Sequence, residues 1–146
     1  MLKIVRFLIV AVVIVVAIPA LDRNYGSYSE TYECTGKMLK ATAGQQNPAT
    51  PFVRVTKYRW WRSTAGIDGA LRFEIPVGGA NRAKNELFAI KEVGSYLVLF
   101  PWPKAGENVD FAGDSPKGQF STISDTLALN TGDGEQFQGS CKKKNG

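Results

Sequence analysis

The chain has 146 residues, 44% hydrophobic and 21% charged, with a formal net charge of +5 and no histidine. This length holds one domain with one modest core, and the composition excludes a wholly disordered chain. The absence of histidine excludes Ser-His-Asp and Cys-His nucleophile systems, imidazole general bases and imidazole metal ligands.

Residues 7–21 are an uncharged apolar run, FLIVAVVIVVAIPAL, with Lys3 and Arg6 before it and Asp22 after it. A basic start, an apolar middle and small residues near the end make the layout of an export signal. Ala17 and Ala20 are the candidate cleavage positions, although Val15 and Ile18 stand where a small residue is preferred. Counted from Ile4, with Arg6 snorkelling, residues 4–21 also reach the lower end of a membrane span, roughly 17–25 residues. Residues 1–21 are therefore expected to form an N-terminal apolar helix, either a signal peptide or an uncleaved membrane anchor. In both cases Lys3 and Arg6 favour the cytoplasmic side, which sends the rest of the chain across. The expected location is periplasmic or secreted, or else anchored to the inner membrane with the domain outside the cytoplasm. Lys3 and Arg6 carry two of the five net charges, leaving a mild +3 for the remainder.

Residues 22–27 read as a polar linker, 28–141 as one β-domain and 142–146 as a basic tail. Cys34 and Cys141 are the only cysteines and they bracket almost every core-forming residue. Outside the cytoplasm such a pair is expected to form a disulfide, here tying the first strand to the last. A zinc-binding or catalytic thiol would need partners that two isolated cysteines and no histidine do not supply.

The first strand starts near Tyr28; Gly36 ends or bends it, and residues 37–42 are able to continue it. Residues 44–51, GQQNPATP, are rich in turn formers and read as a loop. Residues 52–61, FVRVTKYRWW, are rich in β-branched and aromatic types and read as a strand. A loop over 63–69 carries the Asp68-Gly69 turn signal. In residues 71–75, Leu71, Phe73 and Ile75 alternate with Arg72 and Glu74. Residues 81–93 allow a helix, but a hairpin of 87–93 and 96–100 around Gly94-Ser95 fits better. Residues 101–118 form a long irregular segment, which implies a function or mobility. Closing strands follow over 119–124, 126–130 and 135–141. About seven to nine short strands with regular turns imply an all-β, antiparallel sandwich or barrel.

Candidate binding residues concentrate in the basic-aromatic stretch 54–62, RVTKYRWWR, which contains no acid. Arg54, Arg59 and Arg62 supply forked guanidinium donors for phosphate or carboxylate, and Trp60 and Trp61 supply stacking faces. Trp102, held between Pro101 and Pro103, is a rigid contact residue in the long loop. Against this stands the plainer possibility that these aromatics fill the core while the basic stems lie over it. Asp110, Asp114, Asp133 and Glu135 lack the close, regular spacing of a calcium loop and suit turns. No catalytic residue, metal ligand or cofactor motif is identified. Expected partners are an anionic envelope component (a glycan or a lipid headgroup) or another exported protein, with no role in nucleic-acid binding.

The Tyr-x-Cys opening at residues 32–36 and the late Cys141 resemble, in outline, those of bacterial membrane-bound lysozyme inhibitors. That resemblance implies a small exported β-domain that blocks an extracellular hydrolase. The charge of +3 is opposite to what docking on a cationic lysozyme requires. The leading expectation is a non-catalytic envelope domain that binds a partner or serves a structural role. The alternatives are a hydrolase inhibitor that inserts the 101–118 loop and a barrel that encloses a small apolar ligand.

Overall fold

The architecture is built around β1 (Ser27–Lys40), the longest strand, which pairs on both edges. The structure, a computed structural model, describes residues 26–40, 44, 46–59, 66–76 and 84–144. In chain order β1 is followed by β2 (Gln46–Ala49), β3 (Phe52–Tyr58), β4 (Gly69–Ile75) and β5 (Lys84–Val93). Then come β6 (Tyr96–Pro101), β7 (Gly118–Ser121), β8 (Thr126–Asn130) and β9 (Glu135–Lys143). From β3 onward each strand pairs antiparallel with its successor, and β9 returns to pair with β1. The sheet thus closes as an eight-stranded up-and-down barrel, with β2 as one extra strand. The β1–β9 pairing decides for a barrel over a sandwich. β1 meets β3 through residues 27–33 and β9 through 32–40, the register shift that tilted strands need in order to close.

Cys34 and Cys141 face each other in that closing pair. Their sulfurs are 2.04 Å apart and their Cα atoms 3.9 Å apart, so the expected disulfide is present. It joins neighbouring first and last strands, the type of bond that an oxidising compartment allows to persist.

Alternation along each strand sends apolar residues inward. Tyr32, Val53, Val55, Leu71, Phe73, Ile90, Leu99, Phe120, Leu127 and Phe137 form the core of one continuous cluster. The rings of Tyr32 and Phe120 lie 5.1 Å apart and those of Phe73 and Phe137 5.5 Å apart. An eight-stranded barrel is just wide enough for side chains to fill it. Outward positions of β1, β7 and β9 carry polar, exposed residues, among them Lys37, Gln119, Gln136, Gln138 and Ser140. An apolar interior inside a polar wall is the reverse of a transmembrane barrel.

At the β1–β9 seam Gly36 lies opposite Gly139. A Cβ on Gly139 would come within 2.5 Å of the Thr35 carbonyl and 2.8 Å of the Gly36 Cα, so only glycine lets the two backbones approach this closely.

A second, smaller cluster lies outside the barrel. Ile67, Ala89, Phe100 and Val109 are buried together, with Tyr58, Val98 and Phe111 packed against them. The Phe100 and Phe111 rings meet edge to face at 5.0 Å. The long segment between β6 and β7 is therefore folded back onto the wall of β5 and β6, with Val109 and Phe111 as its anchors.

Several expectations shift in detail. β1 runs through Gly36 without ending, because β2 and β9 both pair with its second half. Residues 46–49, expected to be loop, form β2; Pro48 is tolerated at an edge, and the Cys34 N–H of β1 donates at 2.9 Å to the carbonyl of Pro51, in the connection between β2 and β3. Asp68-Gly69 is not a hairpin turn: Gly69 opens β4, and the Asp68 carboxylate accepts the Glu92 N–H at 2.9 Å. Residues 84–101 form the hairpin around Gly94-Ser95, with no helix among residues 84–144. β9 extends past Cys141 through Lys143, so the strand takes up the start of the basic tail. The apolar segment, read above as a helix, lies outside the described residues. Among the described residues no helix is long and apolar enough to cross a membrane.

Candidate functional site

On the outer wall of β3, Arg54, Thr56 and Tyr58 point away from the core, in phase opposite to the buried Val53 and Val55. Arg72 on β4 is the direct cross-strand partner of Arg54, and Leu87 on β5 is the partner of Arg72. Ala70 is the cross-strand partner of Thr56. Its short side chain, set between longer ones, leaves a hollow in the wall. Trp102 closes one side where the chain leaves β6. The resulting open depression, about 330 Å³, is lined by Arg54, Arg72, Thr56, Tyr58, Leu87 and Trp102, with Ser29 and Ala70 below. The Ser29 and Thr56 hydroxyls, 2.8 Å apart, share a hydrogen bond at its edge.

The electrostatics of this hollow are unusual for a sheet surface. Like charges directly opposite each other on neighbouring strands destabilise a sheet. Arg72 has a partial offset from Glu74, two residues along the same strand at 3.7 Å and with both groups well exposed. Such an exposed contact is worth little. Arg54 makes no ion pair among the described residues. The pair therefore offers ten guanidinium N–H donors (about five per arginine) against one weakly held carboxylate. Tyr58 is held by the outer apolar cluster and Trp102 by flanking prolines, so two aromatic faces are preset beside the cations. No family model, curated protein or solved structure matches the chain. The site is thus interpreted from its own chemistry.

Of the residues singled out in the sequence, the fold brings Arg54 and Trp102 into one depression. Arg59 lies at the end of β3, where its N–H donates to the Gly26 carbonyl at 3.0 Å, and it does not line the hollow. Trp60, Trp61 and Arg62 lie outside the described residues. Lys57, part of the same basic stretch, faces the barrel end and is ion-paired with Glu92. Tyr58, in the same basic-aromatic stretch, shares the outer face of β3 with Arg54 by alternation; Arg72 and Leu87 were missed, because only the strand register places them beside Arg54. Asp110 and Asp114 serve a turn. Asp110 Oδ1 accepts the Ala112 N–H at 3.0 Å, and Asp114 Oδ2 accepts the Asp110 N–H at 3.2 Å. Among the described residues no three acidic or cysteine side chains converge as a metal site.

A polar network closes the barrel end where β1 begins. Lys143 donates to Glu30 at 2.5 Å, and the Tyr32 hydroxyl donates to the same carboxylate at 2.7 Å. The hydrogen bonds from Lys143 and then Tyr32 hold the Glu30 carboxyl below its ordinary value, outweighing the upward push of burial. Burial, followed by the bond to Glu30, pushes the Tyr32 hydroxyl well above its ordinary range. Burial lowers the Lys57 ammonium, but the hydrogen bond and charge of Glu92 more than offset it and leave the group raised. The depressed Glu30 contributes stability that is present above about pH 4.5 and lost as pH falls through its folded value. The raised Tyr32 and Lys57 contribute stability that is lost as pH rises past 10.0 and 10.5, where the unfolded chain deprotonates first. Denaturant midpoints measured across pH should therefore decline at both extremes. Glu30→Gln should lower the midpoint at neutral pH and flatten the acid decline. An unchanged acid limb would show that this network contributes no pH dependence.

Proposed function

We propose that this protein is a non-catalytic β-barrel domain, exported or membrane-anchored, that binds an anionic glycan of the cell envelope at the Arg54–Arg72 depression. The observation that carries this is the opposed arginine pair. It runs against a rule of sheet stability on an exposed wall, and a carboxylate or phosphate seated between the two guanidinium groups would remove that repulsion. Local rules are broken most often at functional sites. Tyr58 and Trp102 suit the apolar faces of sugar rings, and an open hollow suits one stretch of a long polymer.

Neither alternative draws the same support. An inhibitor that inserts residues 101–118 needs that segment free, whereas Val109 and Phe111 are spent on the barrel wall. An apolar-ligand carrier needs an interior cavity, whereas Phe73, Phe120 and Phe137 occupy the centre of the barrel.

The test is retention of the folded chain on an immobilised uronate polysaccharide at low salt, with a neutral polysaccharide as control. The protein should be retained only on the acidic matrix and released by salt. Arg54→Glu or Arg72→Glu should weaken retention tenfold or more, since one charge-assisted hydrogen bond is worth about 1.5–3 kcal/mol. Lys37→Glu, the same charge change on the far wall, should leave retention unchanged. Equal losses from all three variants would reduce the effect to net charge and remove the assigned site.

A further inference from the structure

In an up-and-down barrel, strand ends alternate between two rims. The starts of β1, β4, β6 and β8 and the ends of β3, β5, β7 and β9 share one rim. Four large apolar or aromatic side chains are exposed at this rim: Tyr28 at 49%, Val93 at 56%, Tyr96 at 44% and Ile123 at 81%. Val93 and Tyr96 flank the Gly94-Ser95 turn, and Ile123 caps the β7–β8 turn. The two turns are tied together, since the Thr122 N–H and hydroxyl both donate to the Ser95 carbonyl at 3.0 Å. Val93, Tyr96 and Ile123 therefore form one held patch, and none of them contributes to either apolar cluster.

The chain entering this rim bears on what covers the patch. Gly26 lies at the same end, where its carbonyl accepts the Arg59 N–H, and β1 starts at Ser27. Only residues 22–25 separate Gly26 from the apolar run ending at Leu21. Four residues reach at most about 14 Å when fully extended. A run held in a membrane thus keeps this rim close to the lipid surface, and no other face of the barrel is so constrained.

Charge agrees with that orientation. The rim acids Glu30, Glu92 and Asp68 are ion-paired with Lys143, Lys57 and Lys91. Asp125 remains, against Lys142 and Lys144 at the end of β9. Little uncompensated negative charge therefore opposes anionic headgroups, and the end of β9 attracts them. Tyrosine beside aliphatic tips is also the mixture that membrane interfaces favour.

We infer that this rim docks on the bilayer, with Ile123, Val93 and Tyr96 entering the headgroup region while the Arg54–Arg72 wall stands clear for its ligand. The inference rests on the reading of residues 4–21 as a retained membrane segment.

The test uses the full chain reconstituted in phosphatidylglycerol-containing vesicles whose acyl chains are brominated. Flotation with the vesicles reports whether the N-terminal segment holds the chain. A tryptophan added by Ile123→Trp reports the rim, and one added by Lys104→Trp reports the opposite end, each read against the parent protein. The emission added by Ile123→Trp should be quenched and that added by Lys104→Trp should not. Val93→Ser combined with Ile123→Trp should reduce the quenching while flotation persists. If the chain floats but the Ile123→Trp emission is unquenched, the docking inference fails and the anchor reading stands; a rim cross-link between two copies would then name the occupant. If the chain does not float, the anchor reading fails and the inference falls with it. Equal quenching at both positions would overturn the proposed orientation.

Discussion

Replacing both cysteines, as Cys34→Ala/Cys141→Ala, should lower the unfolding free energy by about 4–5 kcal/mol. The bond closes a loop with a sequence separation of 107, and it spans the one strand pair that closes the sheet into a barrel. Without it, the unfolded chain regains the freedom to separate its ends. That freedom must be given up again before β1 and β9 pair, so the loss falls on the seam. Denaturant titration should show a lower midpoint and a slope that is no smaller, since the unlinked chain exposes at least as much surface. The small cysteine-to-alanine volume change makes cavity effects minor beside the loop term. The double replacement avoids the stray thiol that either single variant would leave. Equal midpoints for the parent and the double variant would mean that the non-covalent seam alone closes the barrel.

Phe137→Ala should cost about 3–5 kcal/mol, the range for a fully buried phenylalanine truncated in a rigid core. Phe137 is 1% exposed, its ring lies 5.5 Å from that of Phe73, and a Cβ on Gly139 would come within 2.7 Å of its Cζ. The ring thus roofs the glycine that lets β1 and β9 approach, and it packs across the interior on β4. The wall around the resulting void is a closed hydrogen-bonded cylinder, which collapses poorly, so the upper part of the range is expected. Thermal or denaturant unfolding measures the loss directly. A cost near 1 kcal/mol would show that the barrel relaxes inward and is less rigid than its closed ladder implies.

The disulfide also marks what can be read without the fold. Cys34 and Cys141 are paired by counting, by the expectation drawn from the apolar N-terminal run and by the missing histidine, none of which depends on geometry. Leu71, Phe73 and Ile75 announce their strand and its inner face through simple alternation, because side chains in a strand repeat every two residues. The Gly94-Ser95 hairpin is legible for the same reason, with strong β formers on either side. Pro48, in contrast, argues for a loop. Its place in β2 depends on a partner edge supplied by β1, and no local pattern reveals that edge.

The candidate site divides in the same way. Arg54 and Trp102 stand out as residue types in suggestive surroundings. Arg72 looks like an ordinary polar position on the outer face of a strand, and Leu87 like a partly exposed apolar residue on another. The register between β3, β4 and β5 makes them neighbours, and the return of the chain after β6 brings Trp102 across. Lys57 shows the converse, since its place in a basic run suggests ligand binding, whereas alternation aims it at Glu92 on the barrel end.

By itself the sequence determined the β class, the single covalent bridge and the absence of histidine chemistry. These depend on composition, on the period-two pattern and on residue counts, all of which are local. Only the tertiary structure decided that the sheet closes on itself, that the long segment lies against the wall, and that Arg54 faces Arg72. Closure, packing and cross-strand pairing are set by contacts between residues far apart in the chain, where many registers satisfy the same alternation and only one also fills the interior.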